Sequence, residues 1–134
     1  MKELVAPEKS VVEGNHEEEN GMILRGRVLP SRVRVTYEGA KRPLPRSRKD
    51  VLEKWAQRFA GSPGHYTVPY QTEMLFVEDG RKHWLAVHQK VIPQLEKELK
   101  EGDKVDLHLI RLGAVRTAGE WEWLMLVESF QKQK

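Results

Sequence analysis

The chain has 134 residues, a length that allows one domain with a core of ordinary size. Its composition is 39% hydrophobic and 32% charged, which is typical of a globular protein rather than a disordered or fibrous one. The absence of cysteine excludes disulfides, thiolate chemistry and cysteine-ligated zinc.

The net charge of +3 conceals two oppositely charged parts of the chain. Residues 1–20 carry two lysines against six glutamates and few large apolar side chains, so we predict a disordered acidic tail there. The rest of the chain carries 21 basic against 14 acidic residues, and we predict that residues 21–134 form a single domain. Most of the basic excess lies within residues 25–58.

No apolar run approaches the roughly 20 residues that a membrane helix needs, so we expect no membrane span. The first residues also lack the apolar stretch of a signal peptide, which favours a cytoplasmic location. A secreted or periplasmic location is the alternative if a signal segment has been removed.

Two-residue periodicity over residues 32–37 predicts a strand with an arginine-rich face and an apolar face. Residues 22–29 are also strand-like, and the two stretches form either one long bent strand or two short ones. Glycine and prolines over 39–46 predict a loop. A helix with Ser47 as its cap and an apolar stripe that includes Trp55 follows and ends at Gly61.

The clearest local signal is Asp79-Gly80 between two apolar runs, which predicts a β-hairpin with a two-residue turn. The turn pairs Val77 with Lys82 and Leu75 with Trp84. One face of the hairpin then carries Leu75, Val77 and Trp84, which is too apolar to be bare. We therefore predict that the first helix packs on this face through Trp55.

A second helix is predicted at about 91–100, followed by two strands separated by a loop that holds Gly113 and Gly119. The second of these strands is apolar on both faces around Leu124 and Leu126. Such a strand is either central in the fold or covered by a partner chain.

This order of elements over residues 21–130 resembles the OB-fold, in layout only and without a specific motif. The resemblance implies a mainly β domain with two helices, forming a small, partly open, OB-like barrel with a helical insertion between the first strand and the hairpin. The long helix-bearing link departs from the usual plan, and a different five- or six-stranded barrel or an α+β sandwich also fits.

The candidate binding residues are arginines of the basic segment, because the planar guanidinium donates paired hydrogen bonds to phosphate. On an OB-like barrel these strands lie near the usual ligand groove, where aromatic rings stack on bases. The predicted ligand contacts are Arg25, Arg27, Arg32, Arg34, Arg42, Arg46, Arg48 and Tyr37. A plain solvated strand face is the competing interpretation.

Neither catalysis nor metal binding has support in the sequence. The five histidines lack the spacing of metal ligands, and no nucleophile elbow or phosphate-binding glycine loop occurs. We therefore expect a non-enzymatic binding domain without a cofactor, for single-stranded nucleic acid or another polyanion. The alternatives are a protein-interaction module that uses the last strand for a partner or for self-association, and an envelope-located barrel that binds a small ligand.

Overall fold

A computed structural model of the chain describes residues 16–19, 22–25, 30–59, 64–117 and 120–132. Within these ranges the strands are β1 (His16–Glu19), β2 (Met22–Arg25), β3 (Pro30–Pro43), β4 (Thr72–Glu78), β5 (Arg81–Val87), β6 (Lys104–Thr117) and β7 (Glu120–Lys132). The helices are α1 (Arg46–Phe59), the single turn α2 (Gly64–Thr67) and α3 (Ile92–Glu98). None of these helices has the length and apolar character to span a membrane.

Five of the strands close into a barrel in the order β3–β4–β5–β7–β6 and back to β3. All neighbours are antiparallel except β5 and β7, which pair in parallel through Ala86 with Leu126 and Val87 with Val127. The prediction of a mainly β, OB-like small barrel is therefore confirmed, although the barrel is closed rather than partly open. Helix α1 lies in the link between the first barrel strand and the hairpin, as predicted.

The region before the barrel forms two short strands. Strand β2 pairs with β6 beyond the end of β3, so the predicted first strand is two segments lying along the same neighbour. Strand β1 pairs with β2, so residues 16–19, which lie within the predicted tail, form a strand beside the barrel. Residues 1–15 and 20–21 lie outside the described ranges.

Two predicted loops are partly strand. Strand β3 continues to Pro43 through an irregularity between Tyr37 and Lys41, where Gly39 adopts a φ of 84° that glycine accepts without strain. Strand β6 runs through Gly113 to Thr117. Helix α1 begins at Arg46, so the predicted cap Ser47 lies within its first turn. The single turn α2 lies after the predicted end of the first helix at Gly61.

The hairpin β4–β5 is confirmed with its predicted register, including Leu75 opposite Trp84 and Val77 opposite Lys82. Asp79 and Gly80 have φ angles of 52° and 77°, as the favoured two-residue hairpin turn requires.

The barrel interior is one hydrophobic core. Every barrel strand contributes inward-facing apolar residues, and Leu95 and Leu99, from α3 and the residue after it, close one end. The largest fully buried side chain is Phe76.

A second core lies between α1 and the outer face of the sheet. Trp55, 5% exposed, packs there with Leu112, Leu124 and Leu126, which are buried on β6 and β7. The prediction that α1 covers the hairpin face is wrong, because α1 packs instead on the outer face of β6 and β7, where Leu112, Leu124 and Leu126 are buried. The α1 helix also covers Leu124 and Leu126 within the chain, so these residues need no partner protein.

Candidate ligand-binding face

The predicted arginines lie in different places. Arg32 and Arg34 project from the outer side of β3, Arg42 follows the irregularity in β3, and Arg46 and Arg48 belong to the first turn of α1. Arg27 and the side chain of Arg25 fall outside what the structure describes.

Arg32 and Arg34 hold one carboxylate between them, an arrangement that we call the Asp106 cluster. Arg34 Nε donates to Asp106 Oδ1 at 2.9 Å, and Arg32 Nε donates to Oδ2 at 3.0 Å. The hydrogen bond from Arg34, together with Arg32, holds the pKa of Asp106 below its ordinary value, although burial opposes this. Asp106 is 2% exposed, whereas the two arginine side chains are 55% and 62% exposed, so the cluster presents a net positive charge to solvent.

A second cluster surrounds Glu73, which is fully buried on β4. Arg42 Nε donates to it at 3.0 Å and Arg48 Nε at 2.6 Å, and Arg48 Nη1 also reaches Glu122 at 2.5 Å. We call Glu73, Arg42, Arg48 and Glu122 the Glu73 cluster. The side chain of Arg48 is 8% exposed and its charge is paired where α1 meets the barrel, so its position gives no support to the predicted role as a ligand contact.

The last two predicted contacts differ in accessibility. Tyr37 is 5% exposed and points into the barrel, with its ring 5.9 Å from that of Phe76, so it cannot stack on a ligand. Burial raises the pKa of the Tyr37 hydroxyl, and Glu96 adds to the effect. Arg46 is exposed and pairs with Asp50 one turn along α1, at 3.2 Å.

The outer face of the hairpin carries apolar side chains that α1 does not cover. Leu75, Val77 and Trp84 form an apolar strip, each half-buried and none of them part of the core under α1. The guanidinium carbon of Arg42 lies 4.2 Å from the centre of the Trp84 ring. A cation at this distance over an indole face is attracted to the ring, so Arg42 belongs to both the Glu73 cluster and the edge of the strip.

The strip is bordered by polar and basic residues of neighbouring strands. Thr36 on β3 and Lys82 on β5 both pair with Val77, so the three side chains form one row across the sheet. Leu75 and Trp84 form the next row, about 7 Å further along by strand geometry. The strip therefore lies between the Asp106 cluster on one side and Arg42 on the other.

The sequence contained the signal for this strip. The hairpin register placed Trp84 with Leu75 and Val77, and the face of the second and third strands is where OB-folds bind oligonucleotides and oligosaccharides. The predicted packing of α1 on this face would have buried the strip, whereas the structure places α1 over β6 and β7.

Comparison of the chain with protein-family models, with curated proteins and with solved structures finds no match. In the part of the chain that the structure describes, no three histidine or acidic side chains converge in a way that would hold a metal ion. The interpretation of the site therefore depends on its own geometry.

Proposed function

We propose that this domain is a non-enzymatic module that binds single-stranded nucleic acid on the outer face of β3, β4 and β5. The observation that carries the proposal is the half-buried apolar strip of Leu75, Val77 and Trp84, which lies outside both hydrophobic cores and between two sources of exposed positive charge. Bases would stack along the strip, and phosphates would follow Arg32 and Arg34 at one end and Arg42 at the other.

A single strand fits this surface better than a duplex does. Its unpaired bases expose π-faces that an indole and a guanidinium can stack on, whereas a duplex hides those faces. The strip has one large aromatic ring and no array of base-reading amides, which supports stacking without strong sequence preference. The basic residues are partly neutralised by Asp106 and Glu73, so we expect modest affinity rather than tight polyanion binding.

The decisive test is Trp84→Ala, measured with a fluorescent oligonucleotide of about twelve nucleotides, within the site sizes seen for OB-folds. Loss of one base stack should weaken binding by about fivefold to 150-fold, while Trp84→Phe should retain most of the affinity. Because a ring carries no charge, the slope of log affinity against log salt should not change. Circular dichroism checks that each variant is folded.

The electrostatic contribution to nucleic-acid affinity is tested with substitutions of two lysines. Lys82→Gln, beside the strip, should flatten the salt slope by about 0.7, the value for one phosphate contact on a single strand. Lys90→Gln, an exposed lysine beyond the other end of β5, is the charge-matched control and should leave the slope unchanged. Removing Arg32 and Arg34 together is unsuitable, because it would leave the buried Asp106 carboxylate without its partners.

Two results would contradict the proposal. One is a titration that shows no saturation at low salt. The other is equal loss of affinity in Lys82→Gln and Lys90→Gln, which would indicate diffuse attraction to the whole protein instead of this face.

A further inference from the structure

The β3 strand is paired on one side only over its first half. Its ladder with β6 covers Pro30 to Thr36, whereas its ladder with β4 begins at Thr36 opposite Val77. Strand β4 ends at Glu78 and turns away into the hairpin. Among the described residues, no strand therefore pairs with the other side of β3 between Pro30 and Val35.

The alternation of backbone hydrogen bonds along β3 shows which of its amides and carbonyls face the unpaired side. Tyr37 donates its amide to Asp103 at 2.8 Å and accepts from Gly102, so its backbone faces the β6 side. Alternate residues of an antiparallel strand face the same way, so Val33 and Val35 also face β6, and Arg32 and Arg34 face outward. The backbone of Pro30 also faces away from β6. Because proline has no amide hydrogen, its position there costs the β3–β6 pair no hydrogen bond.

A cleft of about 290 Å³ lies beside this open edge. It is lined by residues 32–36 of β3, by Val77, Glu78 and Asp79 at the hairpin turn, and by Lys104. Glu78 is buried, so the exposed charges around the cleft are Arg32, Arg34 and Lys104 against Asp79. Asp106 offsets one of the two arginine charges, so a strand that entered the cleft would meet a small excess of positive charge at its exposed rim.

We propose that this edge of β3 accepts an extended segment of a partner protein as an added strand, with acidic side chains at alternate positions. The outward amides and carbonyls of Arg32 and Arg34 would supply main-chain hydrogen bonds, as in other cases of strand addition. Glutamates two residues apart would lie opposite the two arginine side chains. This site adjoins the apolar strip at Val77 and shares Arg32 and Arg34 with the proposed nucleic-acid face, but strand addition does not depend on nucleic-acid binding.

A second copy of this chain is a poorer occupant of the same edge. If two β3 edges paired antiparallel about Val33, Arg32 of one copy would lie opposite Arg34 of the other. Like charges directly opposite each other destabilise a strand pair. The edge therefore disfavours self-pairing and favours an acidic partner.

The test is amide hydrogen exchange by NMR on the full chain, with the acetylated and amidated peptide Thr-Glu-Thr-Glu-Thr as the probe. In the free protein, the amides of Arg32 and Arg34 should exchange fast while those of Val33 and Val35 are protected. At about ten times its dissociation constant, the peptide should slow exchange of the two arginine amides roughly tenfold. A peptide N-methylated at its pairing amides keeps the charge and should not protect them.

A pair of variants separates charge from main-chain pairing. Arg34→Ala keeps the amide and should lose only the charge contribution. Arg34→Pro also removes an outward donor without breaking the β6 ladder, so it should weaken binding by a further factor of about three to ten. Trp84→Ala should leave peptide affinity unchanged, which distinguishes this site from the proposed nucleic-acid face.

Three outcomes would overturn the proposal. The first is no binding of the peptide, and the second is binding without protection of the Arg32 and Arg34 amides. The third is protection of these amides in the free protein that increases with protein concentration, because this would assign the edge to a second copy.

Discussion

Glu73 offers the sharpest test of what joins α1 to the barrel. Its carboxylate is fully buried and accepts hydrogen bonds from Arg48 at 2.6 and 3.0 Å and from Arg42 at 3.0 Å. Glu73→Gln keeps the shape of the side chain but removes its charge. The Arg48 guanidinium would then remain buried, with only the half-exposed Glu122 as an acidic partner.

Breaking one partner of a buried ion pair costs about 3–5 kcal/mol. We expect the lower end for Glu73→Gln, about 3 kcal/mol, because Glu122 still compensates part of the Arg48 charge. With a urea m-value of about 2 kcal/mol/M, the unfolding midpoint should fall by about 1.5 M. The assay is urea denaturation followed by tryptophan fluorescence.

Two further variants control this measurement. Glu122→Gln removes a partly exposed pair and should cost no more than about 1 kcal/mol. Combining Glu73→Gln with Arg48→Met replaces the buried charge by an apolar side chain, and stability should recover to within about 1 kcal/mol of the wild type. The reasoning fails if Glu73→Gln destabilises the protein no more than Glu122→Gln does. It also fails if the double variant is less stable than Glu73→Gln alone.

Three other outcomes follow from burial and charge. Trp55→Ala should cost roughly 3–5 kcal/mol in urea unfolding, since this ring is buried against Tyr66 and the outer face of the sheet; a near-neutral effect would remove it from the second core. Burial lowers the pKa of His83, so stability should fall as pH drops below about 6.5 and level off below the folded-state pKa; His83→Gln should abolish that slope. The pKa of Asp106 is also lowered, chiefly by the hydrogen bond from Arg34. The ionised Asp106 carboxylate therefore contributes its full stabilisation above its unfolded-state pKa of about 3.9, and this stabilisation is lost as pH falls through the folded-state pKa. In an acid titration, Asp106→Asn should not show this loss of stability.

Local patterns predicted most of the fold. The Asp79-Gly80 turn fixed the register of the hairpin, because both central residues need positive φ and the pairs on each side follow from that turn. Errors arose where tertiary contacts overrode a local signal. The sequence predicts that Gly39 and Gly113 interrupt strands, yet each lies within a long strand that pairs with neighbours distant in sequence.

The site was harder to predict because charge in sequence does not specify partners in space. The arginines of the basic segment were identified correctly as a concentration of charge, but Glu73 and Asp106 lie far from them along the chain. Arg34 meets Asp106 through the pairing of β3 with β6, and Arg48 meets Glu73 through the position of α1 against the barrel. The surface that α1 contacts was hard to predict for the same reason. The sheet has two apolar outer faces, and the sequence does not show which of them packs against the helix.

The closure of the barrel also constrains the order in which the chain folds. Strand β3 pairs with β6, and the Arg34–Asp106 contact joins residues 72 positions apart. The β4–β5 hairpin is local and forms on a timescale of roughly microseconds, whereas the β3–β6 seam carries the entropy cost of closing a long loop. Pairing between strands so far apart in sequence is typical of slow-folding β-topologies. Until that seam forms, the apolar edges of the hairpin and of β6 remain open to other chains, so the interval before closure is when this protein is most exposed to aggregation.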